Sequence, residues 1–133
     1  MQKLIQYFQQ QPKKIFLLDG LGAMLSTALL YFLLMPNTAW IGLSVTQINA
    51  LVIGALCLVG YDLIARIVYT PERGCLIRVL ALLNTLYCIT TLSVLILHYS
   101  SITILGWAYF LGEVAIVGVL VYLEWKISAI QQY

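Results

Sequence analysis

Apolar residues run almost unbroken through four stretches of the chain, residues 15–35, 45–65, 79–97 and 102–125. Each is long enough for a helix of roughly 20 residues to cross a hydrocarbon layer about 30 Å thick. Polar and chain-breaking residues separate them: Pro36-Asn37-Thr38, then Tyr69-Thr70-Pro71-Glu72-Arg73-Gly74, then Tyr99-Ser100-Ser101. Membrane-spanning strands would be about 10 residues long and alternate with period two. These runs do neither, so the pattern predicts an all-α protein, a four-helix transmembrane bundle.

The first 14 residues follow a different rule. Leu4, Ile5 and Phe8 recur at helical spacing among Gln and Lys as far as Pro12-Lys13-Lys14, which predicts a short amphipathic helix lying on the cytoplasmic membrane surface. The expected organisation is therefore an interfacial helix over 1–14 and a four-span domain over 15–133. A cleaved signal peptide is the rival reading of Lys13-Lys14 and the apolar run behind them. Asp19 interrupts that run, and no small-x-small cleavage site follows it.

Composition agrees with the pattern and narrows it. Hydrophobic residues make up 62% of the 133 residues and charged ones 9%, where a soluble domain carries about a quarter. So few charges cannot cover a water-soluble surface. Disorder, a nucleic-acid-binding domain and a disulfide-stapled scaffold are excluded by the same balance.

The charges also give an orientation. Of the 7 basic residues, Lys3, Lys13 and Lys14 precede the first span, Arg66, Arg73 and Arg78 surround the loop between spans two and three, and Lys126 follows span four. Four crossings put all of them on one side. The positive-inside rule makes that side the cytoplasm, with both termini there. Trp40, Tyr99 and Trp107 fall on the opposite side, as an interfacial aromatic belt would.

Polar residues inside spans are costly, so they carry the functional information. Span three presents Asn84, Tyr87, Cys88, Thr91 and His98 within about a third of the helix circumference. In span four, Glu113 and Glu124 are about three turns apart and point the same way, with Tyr109 on that face. Asp19, Gly22, Ala23 and Ser26 form a small, polar stripe on span one. Gly22-x-x-x-Ser26 also has the spacing of close helix packing. Asp62 and Arg66 stand one turn apart on span two, suited to a structural ion pair at its inner end, with Glu124 as a third member.

If each stripe faces inward, the helices share a polar column. Glu113 lies near its midplane with no basic residue at similar depth on its own helix. It must be protonated, hydrogen-bonded or exposed to a water-filled cavity. Asp19, Asp62 and Asn84 would form the inner part of the site, with His98 and Tyr109 nearer the outer mouth.

No enzymatic constellation is complete. One histidine cannot ligate haem from both sides. Cys57, Cys75 and Cys88 include no vicinal pair, and there is no phosphate loop or nucleophile elbow. A metal would have to use Asp19, Asp62 and Glu124 without any ligand-spacing motif, so neither metal nor cofactor is expected. The segments Leu18-Asp19-Gly20-Leu21-Gly22-Ala23 and Leu105-Gly106-Trp107-Ala108-Tyr109-Phe110-Leu111-Gly112-Glu113 resemble those of small four-span bacterial membrane proteins of unassigned function. The resemblance implies a bacterial inner-membrane setting and no activity.

The expected function is binding or transport of a small ligand or protons at an internal polar site centred on Glu113. An accessory subunit docked on a larger membrane protein is the alternative, and a membrane-embedded lipid-modifying or isomerising enzyme the second. The partners expected are membrane lipids, together with a second copy or a larger membrane protein, and no nucleic acid.

Overall fold

The computed structural model describes residues 2–130. Among these the secondary structure is helical throughout, and four helices are long and apolar enough to cross a membrane: Lys13–Ile41, Val45–Val68, Cys75–Leu97 and Ile104–Ala129. We number the α-helical segments α1 (Gln2–Gln10), α2 (Lys13–Ala28), α3 (Thr38–Ile41), α4 (Val45–Val68), α5 (Cys75–Leu97) and α6 (Ile104–Ile130).

The helix boundaries have local causes. Pro36 does not end the first long helix, as its turn-forming neighbours suggested. Proline lacks a backbone donor and collides with the preceding turn. The chain accommodates it by widening into a π-helical stretch over Leu29–Leu34, where Met35 donates to the carbonyl of Leu30. A short 3-10 turn over Met35–Asn37 then leads into α3. The run stops at Gly42, whose φ of 89° is the left-handed conformation that glycine adopts without strain.

Helix α4 opens on a reciprocal capping box: the Gln47 amide donates to Ser44 Oγ at 3.3 Å and the Ser44 amide to Gln47 Oε1 at 2.9 Å. Helix α5 begins at Cys75, four residues before the apolar run suggested. The last helix continues well past the expected end at 125. Ile127 is fully buried beyond that point and packs with Phe8 of α1, Ile15, Phe16 and Leu80. The amphipathic segment does form a helix, and its Phe8 inserts into the core at 6% exposure.

Short connections make the four long helices antiparallel neighbours. Helix α2 packs lengthwise on α4, α5 on α6, and α4 more lightly on α5, while α2 and α6 barely touch. The interior is layered. At the end carrying the basic residues lies an apolar cluster around Phe16, Ala65 and Ile77. Ala23, Ala55, Leu58 and Tyr87 form the middle. The far end is filled by Leu30, Leu51, Leu95 and Phe110. Two polar layers lie between these three apolar ones, and they constitute the site.

Candidate functional site

The inner polar layer draws on all four long helices. Asp19 of α2, Asp62 of α4, Asn84 of α5 and Glu124 of α6 are each no more than 3% exposed. Asn84 holds the layer together. Its Nδ2 donates to Asp19 Oδ1 at 2.9 Å, across the bundle diagonal, and to Glu124 Oε1 and Oε2 at 3.0 and 3.2 Å. The Asp19 carboxyl also adjoins that of Asp62. Gly20 permits this approach, since a Cβ added there would lie 3.3 Å from Asp62 Cβ.

The acceptors outnumber the donors. Asp19 Oδ2 and both Asp62 oxygens are buried with no hydrogen-bond partner among the described residues. Carboxylates only accept, so adjoining carboxyls can bond to each other only through a proton.

This arrangement corrects two expectations. Asp62 does not make the hydrogen-bonded ion pair with Arg66: its oxygens are unpartnered, and Arg66 is exposed on the flank of α4. Nor is Glu124 a third partner at the headgroup boundary. It is fully buried and bound to Asn84, with α6 continuing to Ile130 and Ile127 packing against Phe8 and Ile15 beyond it.

The second polar layer surrounds Glu113. Tyr87 Oη donates to Glu113 Oε1 at 2.9 Å. Ser26 of α2 faces the same carboxyl, and Thr91, fully buried one turn from Tyr87, lies beside the tyrosine. Glu113 Oε2 has no partner among the described residues. Gly54 of α4 makes room for the tyrosine ring, whose Cδ2 would lie 3.3 Å from a Cβ at that position. The sequence places Tyr87 on the polar face of span three without giving it a part in the site, which it takes through this hydrogen bond.

A cavity of about 290 Å³ joins the two layers, with Asp19, Ser26, Asn84, Tyr87, Tyr109 and Glu113 among its lining residues. That is near the lower limit of small-molecule sites, which run from about 300 to 1,000 Å³. The remaining wall is mostly apolar, from α2, α4 and α6.

Not every candidate belongs to it. Asp62 stands behind Asp19 and lines a separate surface groove with Gly20 and Arg66. His98 lies outside the cavity, at the end of α5. Its Nε2 contacts Gln47 Nε2 at 2.5 Å and its Nδ1 the Val94 carbonyl at 3.0 Å, so it ties α5 to the capped start of α4. Among the described residues, no group of three or more His, Cys, Asp or Glu is arranged to hold a metal ion.

Neither family models, nor curated proteins, nor solved structures give a match to this chain. The functional reading therefore rests on the geometry of these two polar layers and the space between them.

Proposed function

We propose that this protein is a membrane-embedded binding protein whose bundle interior takes up a small ligand against Glu113. One observation carries the reading. A glutamate in the membrane-spanning region lines a cavity, with one oxygen bound by Tyr87 and the other without a hydrogen-bond partner among the described residues. An ionisable group at this depth is a functional-site candidate because its burial costs stability unless something compensates it. A ligand that donates a hydrogen bond supplies that compensation. The inner carboxyl layer extends the same chemistry, since Asp19 lines the cavity and adjoins carboxyls able to exchange protons. The one-sided distribution of basic residues supports a cytoplasmic location for both termini, and the resemblance of the two short segments supports a bacterial inner membrane.

The test uses n-butylamine and n-butanol as probes, titrated against the purified protein in lipid nanodiscs and followed by ligand-observed NMR. Wild-type protein should bind at least one saturably, and Glu113→Gln should weaken that binding at least tenfold while keeping its melting temperature within a few degrees. Unaltered binding in Glu113→Gln, or loss of stability as its one effect, would assign the carboxyl a structural role.

A further inference from the structure

We infer that the cavity communicates with the lipid phase through the seam between α2 and α6, and that its occupant is a single-chain amphiphile whose amine or alcohol head group donates to Glu113. This rests on the binding reading above and narrows it to a route and a ligand class.

The route follows from what closes the cavity and what leaves it open. Toward the basic end, the Ile15, Phe16, Leu80 and Ile127 side chains are at most 1% exposed. Toward the other end, Leu30, Leu95 and Phe110 are fully buried. These layers separate the cavity from both aqueous faces. The α2–α6 seam is different, because those two helices scarcely meet. On its outer side runs an apolar groove of about 490 Å³. Gly22, Leu25, Ile116 and Leu120 line both the groove and the cavity, so one apolar surface continues from the lipid-facing exterior to the interior.

Two glycines mark the seam. A Cβ added at Gly22 of α2 or at Gly112 of α6 would meet nothing within 4 Å. At Gly106, by contrast, it would lie 2.5 Å from the Ile41 carbonyl oxygen. Gly106 is therefore needed for close packing, whereas the two seam glycines border open space. Within the chain, Gly22 makes no close approach to another helix.

The ligand class follows from the lining. An apolar passage accommodates a hydrocarbon chain, and burying that chain against it adds dispersion contacts. At the polar end two buried carboxyl oxygens, Glu113 Oε2 and Asp19 Oδ2, have no hydrogen-bond partner among the described residues. A head group that donates satisfies them. A carboxylate or phosphate head group brings acceptors and no donor to these oxygens.

The experiment compares two photoactivatable amines with the protein in nanodiscs, a dodecylamine and an ethylamine, each bearing a diazirine. Labelled residues are mapped by mass spectrometry. The dodecyl probe should label cavity-lining residues of α2 and α6 saturably, and unlabelled dodecylamine or dodecanol should compete at least tenfold better than dodecanoate. A Cβ at Gly22 or Gly112 meets nothing within 4 Å, so Gly22→Leu and Gly112→Leu add bulk beside the passage and each should reduce cavity labelling at least tenfold with helicity and melting temperature retained.

Cavity labelling by the ethyl probe alone, unaffected by the seam variants, would overturn the lipid route and leave the binding reading standing. Absence of cavity labelling by both probes would remove both. Labelling spread evenly over lipid-facing residues and unaffected by either variant would also overturn the inference, as would a change in oligomeric state on seam substitution, which would assign the groove to a second copy.

Discussion

Tyr87 and Glu113, from adjacent helices, meet through a single hydrogen bond of 2.9 Å, and the second carboxyl oxygen has no partner among the described residues. The tyrosine fixes the rotamer of the acid and satisfies half of it, so the acid is held in place with one acceptor in reserve. Hydrogen bonds between membrane helices contribute about 0.6 kcal/mol on average and up to about 1.7. This one belongs toward the upper end, because Glu113 is only 8% exposed. Tyr87→Phe should therefore destabilise the bundle by about 1–2 kcal/mol. A double-mutant cycle with Glu113→Leu, which removes the acceptor, followed by reversible unfolding in mixed micelles, should return a coupling of about 1 kcal/mol, and a value near zero would show that the contact does not hold the acid.

Asn84 should matter more than Tyr87. It donates to two carboxyls on two other helices, so Asn84→Leu strips both Asp19 and Glu124 of their amide partner at once. Leaving a buried polar group without its partner costs about 1–3 kcal/mol. With two carboxyls stripped at once, the expected loss is near the upper figure, about 3 kcal/mol. Adding Glu124→Gln, which restores a donor and removes a carboxylate, should recover a substantial part of it. If thermal unfolding instead ranks Tyr87→Phe as the costlier change, the inner layer is less tightly knit than its distances imply.

The glycines should separate into two groups. Gly42→Ala forces a side chain into a left-handed conformation and 2.0 Å from the Ser101 carbonyl oxygen, and Gly106→Ala brings one within 2.5 Å of Ile41 O. Both should destabilise by more than about 2 kcal/mol, since neighbouring backbone must move. Gly60→Ala meets nothing within 4 Å and should be neutral or slightly stabilising, by up to about 1 kcal/mol from helix propensity. Melting temperatures of the three variants, compared in one detergent, decide this.

The native cysteines report on orientation. Cys75 is exposed at the start of α5, at the end with the basic residues, and Cys57 is exposed midway along α4, where lipid would surround it. A membrane-impermeant maleimide should modify Cys75 in inside-out vesicles and spare it in right-side-out ones, while Cys57 stays unmodified in both. Labelling of Cys75 in right-side-out vesicles would reverse the proposed topology.

Much of this was legible along the chain. Four long apolar runs separated by breakers specify four helices, since length and continuity are local properties. The facing of Asn84, Tyr87 and Thr91 could be read too, because a period of 3.6 residues places them on one side whatever surrounds the helix. Glu113 stood out by the cost of placing an acid among apolar residues.

What the sequence could not supply is which groups meet. In a membrane the lipid and the protein interior are equally apolar, so hydrophobicity does not say which face of a helix turns inward or which helix it opposes. Asp62 and Arg66, one turn apart, looked like partners. Packing against Gly20 turns Asp62 toward Asp19 and leaves Arg66 outside. Glu124 looked like a terminal residue until Phe8 and Ile127 extended the packed end of the bundle and buried it beside Asn84. The gap between α2 and α6 has no signature in either helix. It exists because α2 lies along α4 and α5 along α6, and only the assembled bundle determines that these two pairs close tightly within themselves and stay apart along the remaining edge.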